Sequence, residues 1–385
     1  MLFRSHARAL ADGDAAQRSG VVRILAAAMG GLSRRELQVV AGILAATVVA
    51  GVAHYAGWAA LLTFVLATVA LAGLAHLVSL ATEQVGERFG PAATGVLQST
   101  LGNLPELFVV IFALRAGEVV VAQTSIVGSL LANALLVLGL VIVLGARQAS
   151  DGVMRFGPRL PNDTATLLLV ATFIIVIVGV AHETHEPAAQ HERAVSTVAA
   201  IALLGVYLAW VVPYVRSEAA GEPRREPERE GAPRVPLAVS VGLLAVGGVG
   251  AAFVSDWFVA ALRPTIDQLG VSEAFAGLVV VAIAGNAVEN VVGLVLARKG
   301  QYDLAISVVK NSVAQVAAFL YPALVLISLL FAHQLTFGLS PVLIGALLLT
   351  ALAMWQITGD GEAVAFEGWA LVAIYVILAV FTLYE

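Results

Sequence analysis

Two short polar motifs, Gly102-Asn103-Leu104-Pro105-Glu106 and Gly285-Asn286-Ala287-Val288-Glu289, each interrupt an apolar stretch long enough to cross a bilayer. A carboxylate at that depth is costly, so each glutamate marks a functional site whose partner has to be found. The natural partner of each motif is the other copy. The rest of the chain is then scaffold that must bring together two glutamates lying 183 positions apart.

The apolar background decides what that scaffold is made of. Of 385 residues, 60% are hydrophobic and only 12% charged, and the mean hydropathy is +0.93. Soluble domains carry about a quarter charged residues, so the chain is read as integral to a membrane. Apolar spans run at 37–56, 58–81, 92–114, 119–145, 164–181, 195–215, 237–261, 274–297, 303–332, 338–357 and 363–383. In lipid every backbone group needs an internal partner, so the spans are helices, and about 20 residues cross a core of about 30 Å. The expected fold is an all-α polytopic membrane protein with eleven transmembrane helices. With no cysteine, disulfides and thiolate metal sites are excluded. Residues 1–36 form a basic segment with six Arg up to position 35 and no cleavable leader pattern. Residues 216–235 form a Pro-rich, mixed-charge linker.

Basic residues give the orientation. With the N-terminus inside, seventeen Arg and Lys fall on cytoplasmic segments, among them Arg88, Arg147, Arg155, Arg159, Arg298 and Lys299. Only Arg115, Arg193 and Arg263 fall outside. Such a bias places the N-terminus in the cytoplasm and the C-terminus outside. Abundant Arg, Ala, Val and Gly point to a bacterial plasma membrane.

The two motifs lie in the third and eighth spans. They are five steps apart in that order, and five is odd, so the two helices run in opposite directions. The expected organisation is one extra helix at 37–57, a first five-helix repeat at 58–215, the linker, and a second, inverted repeat at 236–385. Inverted repeats hold substrate and coupling ions near the midplane, often at broken helices.

Within each motif Asn and Glu are spaced i, i+3 and share a helix face. Gly102 and Gly285 allow another backbone to come close. Pro105 cannot donate to the carbonyl of Leu101, so the first helix is expected to kink there. Carboxylate, amide and carbonyl oxygens are the ligands of a hard cation such as Ca²⁺. Neighbouring spans add Gln123, Ser125, Ser129 and Asn133, and in the second half Asn311, Ser312 and Gln315. For these neighbours the competing role is interhelical hydrogen bonding alone. Two carboxylates facing one another in a poorly solvated site cannot both stay ionised when empty, so a divalent cation and protons compete for them. A site that two ions share in turn is that of an antiporter.

The motifs also carry a resemblance. Ala81-Thr82-Glu83, the run Gly95 to Leu101 leading into the first motif, and Gln123-Thr124-Ser125-Ile126-Val127-Gly128-Ser129, continuing to Asn133 and Leu138-Gly139, resemble the first repeat of the cation/proton exchangers of the Ca²⁺/cation antiporter superfamily. Leu269 to Phe275, the second motif, Asp303-Leu304-Ala305, Gln315 and Pro322 resemble its second repeat. The resemblance implies that Glu106 and Glu289 take Ca²⁺ and protons alternately, with Asn103, Asn286, Ser129, Ser312 and Gln315 beside them. It also implies that the second and seventh helices slide against a fixed core.

Departures from the pattern are Leu104-Pro105, Ala282, Asn290, and Asn311-Ser312-Val313 in place of a small Gly-Ser-Ser cluster. Lys310 stands just before that last group. At 100° per residue Lys310 lies about 160° from Ser312 and about 140° from Gln315, which turns it toward another helix or the cytoplasmic surface. The other reading puts its charge into the site. Na⁺/H⁺ or Mn²⁺/H⁺ exchange on the same fold, and a homologue whose site Lys310 neutralises, therefore remain as alternatives to Ca²⁺/H⁺ exchange.

The rest of the chain shows no nucleotide-binding loop, enzyme-like metal motif or nucleophile constellation. The expected partners are lipid, inorganic cations and protons, without cofactor, nucleotide or nucleic acid. Weaker features are Glu83 and Glu87 at the cytoplasmic end of the second span, and Asp256 and Glu273 at outer ends of the seventh and eighth. His182, Glu183, His185, Glu186, His191 and Glu192 lie in an outer loop. Each of these groups is either a cation-gathering mouth or simply solvated.

Overall fold

The computed structural model describes residues 32–86, 101–219 and 235–385. The expected basic segment up to residue 31, the resembling run at 95–100, Glu87, Arg88 and the linker at 220–234 lie outside the described residues.

Twelve helices carry the described chain. They are α1 (Arg34–Tyr55), α2 (Ala60–Gly86), α3 (Leu104–Ala116), α4 (Val119–Gln148), α5 (Arg159–Glu183), α6 (Glu192–Ala219), α7 (Leu237–Leu269), α8 (Glu273–Gly285), α9 (Ala287–Arg298), α10 (Tyr302–Ser328), α11 (Pro341–Thr358) and α12 (Ala365–Leu383). Nine are long and apolar enough to span a membrane by themselves, and α8 with the bent-away continuation in α9 makes a tenth span. Each of these ten coincides with an expected span. The expected third span is described only from Leu101 onward, where α3 follows.

Local chemistry sets the helix ends. Ser33 and Glu36 form a reciprocal capping box at the start of α1. Gly117, at φ +83°, and Gly270, at φ +62°, take the left-handed conformation that ends α3 and α7. Helix α7 does not stop at residue 261 but continues through Pro264 to Leu269. Its 33 residues reach about 50 Å at 1.5 Å each, longer than a bilayer core is thick.

The chain is not wholly helical, as the sequence had suggested. Strands β1 (Val153–Arg155) and β2 (Glu362–Val364) pair antiparallel, Met154 opposite Ala363. They join the α4–α5 loop to the α11–α12 loop, and Asp303 at the start of α10 accepts from the Gly157 amide at 2.7 Å. At the opposite end of the bundle Arg263 bonds Glu118 and Glu273. There too Ser272 donates to the Thr382 carbonyl, and the Phe337 amide donates to Ser196.

The core of the bundle depends on close approach of α4 and α8. A Cβ on Gly128 would come 2.4 Å from the Leu278 carbonyl, and one on Gly277 would come 2.0 Å from Thr124 Oγ1. Only the missing side chains let these two backbones touch.

Candidate functional site

The helix breaks come first. Asn103 (φ −82°, ψ 5°) immediately precedes α3, and Asn286 (φ −104°, ψ 13°) separates α8 from α9. The segments Glu273–Gly285 and Asn290–Arg298 are inclined at 59° to one another. Both copies therefore break at the asparagine, although only the first contains a proline. Pro105 occupies the first turn of a new helix, where its missing N–H costs nothing, and does not kink a continuous one. The expectation that Asn and Glu share one helix face changes accordingly. Each Asn sits at the break and each Glu in the first turn beyond it.

Asn-x-x-Glu at a helix start is a capping-box spacing, yet neither asparagine caps its helix through its side chain. Asn286 is engaged elsewhere. Its Nδ2 donates to Ser129 Oγ at 2.8 Å and to the Ala282 carbonyl at 2.9 Å. Asn133 Nδ2 reaches Ser312 Oγ at 3.0 Å and Asn286 Oδ1 at 3.5 Å. One polar cluster thus ties α4, the α8–α9 break and α10, with residues from both halves of the chain.

The first motif lies against the second. A Cβ on Gly285 would be 3.9 Å from the Cβ of Glu106. Glu106 and Asn103 are each 4% exposed, and Asn286, Ser129, Asn133, Ser312 and Gln315 are all buried. The side chains of Val288 and Glu289 lie outside the described residues. Glu106 sits in the first turn of α3, where unpaired amides and the helix dipole favour negative charge. The side-chain oxygens of Gln315, Asn311 and Asn290 are buried without a hydrogen-bond partner among the described residues. Buried acceptors left over in this way are available to a cation.

Other expected residues are spent elsewhere. Gln123 donates to the Gly338 carbonyl at 3.1 Å, in the α10–α11 loop. Ser125 Oγ donates to the Ala122 carbonyl of its own helix at 2.9 Å. Glu83 is exposed on α2, and Asp256 is exposed on α7. Glu273 bonds Arg263. Between α5 and α6, His182 Nδ1 lies 3.1 Å from Glu192, which also accepts from Thr336 Oγ1 at 2.5 Å. Lys310 is completely buried and does not reach the surface. Its Nζ donates to Thr358 Oγ1 on α11 at 2.5 Å.

Three π-helical turns at the site have no counterpart in the sequence reading. They occupy Ala132–Val137 of α4, Ala276–Val281 of α8 and Val316–Leu320 of α10. Each includes or adjoins a polar residue of the cluster or leads into the second motif. Such widened turns concentrate at functional sites, and no residue type announces them.

Comparison with known proteins gives a consistent result. The family described as sodium/calcium exchanger protein matches residues 59–214 and 239–384. The Ca²⁺/H⁺ antiporter of Synechocystis sp. is 31% identical over 344 residues, covering 85% of this chain and 92% of that protein. The vacuolar calcium ion transporter of Schizosaccharomyces pombe is 31% identical over 334 residues, covering 85% and 80%. Among solved structures, native YfkE superposes with a TM-score of 0.74 at 27% identity, covering 89% of this chain and 98% of that one.

Proposed function

The chain belongs to the sodium/calcium exchanger protein family, and from that premise we propose that it is a secondary active antiporter exchanging Ca²⁺ for protons. Glu106 and Glu289 are its central carboxylates. The observation that carries this reading is the approach of the two motifs, in which a Cβ added at Gly285 would lie 3.9 Å from that of Glu106. The names of its relatives support the choice of ions.

In this reading Ca²⁺ takes carboxylate oxygens from Glu106 and Glu289, with amide and hydroxyl oxygens from Asn103, Asn286, Ser129, Ser312 and Gln315 completing a set of six to eight. Asn311 and Asn290 offer further oxygens at the rim. When the cation leaves, protons neutralise the carboxylates, so the two ions exclude one another from one site. The first turns of α3 and α9 direct their amides toward this charge. Exchange then requires the site to open to each side in turn.

The two matched stretches, 59–214 and 239–384, support two repeats of five spans each after an extra helix, eleven in all. Strand pairing at one end and the Arg263 cluster at the other support opposite directions for successive spans. The basic residues Arg147, Arg155, Arg298 and Lys299, on and beside the loops at the β1–β2 end, support a cytoplasmic placement of that end.

The test uses purified protein in vesicles with an inside-acid gradient, following proton efflux as Ca²⁺, Mn²⁺, Mg²⁺, Na⁺ and K⁺ are added in turn. Ca²⁺-driven efflux that disappears in Glu106→Gln and in Glu289→Gln is the expected result. Exchange that survives both substitutions removes the carboxylates from the mechanism. A response to Na⁺ or Mn²⁺ alone reassigns the cation.

A further inference from the structure

Lys310 is a charged residue in the bundle interior that the exchange reaction does not require. It lies on α10, the helix that carries Ser312 and Gln315, and its exposure is 0%. Its ammonium donates to Thr358 Oγ1, and Thr358 in turn donates to the Met354 carbonyl at 2.6 Å. The lysine is therefore built into the α10–α11 contact.

Distance does not isolate it electrically. Two residues along the helix is about 3 Å of rise, and the helix with its side chains is about 10 Å across. A charge on the far face of α10 is thus of order 10 Å from Ser312, close enough to be felt there. Ionisable residues at this depth are expensive and are retained for what their charge does.

We propose that Lys310 sets the cation affinity of the site: its ammonium, seated beside Thr358, weakens the binding of multivalent cations between Glu106 and Glu289. The proposal rests on the antiporter reading above. A cation held too tightly is not released, so a counter-charge at this distance keeps a site of two carboxylates turning over. The effect is purely Coulombic and scales with the charge of the bound ion. It does not require Lys310 to touch that ion.

The test is Ca²⁺ binding by titration calorimetry on the purified full-length protein, with La³⁺ as competitor, alongside vesicle exchange. Lys310→Gln keeps a donor for Thr358 and removes the charge, Lys310→Met removes both, and Thr358→Val removes the tether and keeps the charge. Expected is a Ca²⁺ dissociation constant about tenfold lower or more in both lysine variants. La³⁺ gains by a larger factor, about the three-halves power of that for Ca²⁺. KM for Ca²⁺ falls in step, and kcat falls as release slows. Thr358→Val stays close to the starting protein. An unchanged dissociation constant in Lys310→Gln, equal factors for Ca²⁺ and La³⁺, or a Thr358→Val that reproduces the lysine variants overturns the proposal and leaves the antiporter intact. If the unsubstituted protein neither binds nor exchanges Ca²⁺, the antiporter reading itself fails.

Discussion

Asn286 donates to Ser129 Oγ at 2.8 Å, joining the α8–α9 break to α4 across 157 positions of sequence. The same amide accepts from Asn133, so two buried polar side chains, Ser129 and Asn133, depend on it. Removing one partner from a buried set costs about 1–3 kcal/mol for each group left unsatisfied. Asn286→Ala is expected to lower the thermal midpoint and to abolish exchange, whereas Ser129→Ala, which removes a smaller group, is expected to be milder on both counts. Thermal melts in detergent and vesicle exchange read the two effects separately.

Pro105 gives the opposite expectation. The break at Asn286 forms without a proline, and Pro105 lies in a first turn where no hydrogen bond is lost. Pro105→Ala is therefore expected to keep the broken helix and exchange at a rate within about threefold of the starting protein. A collapse of transport in this variant would mean that the proline, and not the Gly-Asn pair, makes the first break.

The contact of α4 with α8 has no room for a methyl group at Gly128, where a Cβ would lie 2.4 Å from the Leu278 carbonyl. The obstacle is backbone, which cannot rotate aside. Gly128→Ala is expected to cost about 1–3 kcal/mol or more and to separate Ser129 from Asn286. Gly205→Ala, where nothing lies within 4 Å, is the control that should leave both stability and exchange unchanged.

At the β1–β2 end, the Arg155 guanidinium hydrogen-bonded to Asp151 holds that carboxyl below the usual range. A depressed value contributes stability that is present above the unfolded value and lost as pH falls through the folded one. The pair is exposed to solvent and screened, so the contribution is small. Asp151→Asn is expected to lower the thermal midpoint only slightly and evenly from about pH 5 to pH 8, with the difference vanishing in more acid solution where the carboxyl of the starting protein is itself protonated, and to leave exchange unchanged. A pH profile of exchange that moved in this variant would tie the sheet to transport.

Much of this protein was determined by sequence alone. Apolar length requires helices wherever lipid offers the backbone no partner, so ten spans follow from counting residues. A glutamate in such a span has no cheap explanation, which singles out Glu106 and Glu289 before any coordinates. Helix periodicity also turns Lys310 away from Ser312.

Tertiary structure decided what periodicity cannot express. The partners of Asn133, Asn286, Ser129 and Ser312 come from distant spans, and their pairing exists only once α4, α8 and α10 have packed. Gln123 has the same chemistry as Gln315 and lies on a neighbouring span, yet it serves the α10–α11 loop. The break at Asn103 was visible in sequence only as a proline, because a Gly-Asn pair signals a break no more strongly than it signals a close contact. The π-helical turns at Ala132–Val137, Ala276–Val281 and Val316–Leu320 cost each helix its regular hydrogen bonding, and only packing around the site sustains them. Local rules specify which segments are apolar enough to cross the membrane, and contacts between segments specify which of their polar residues meet.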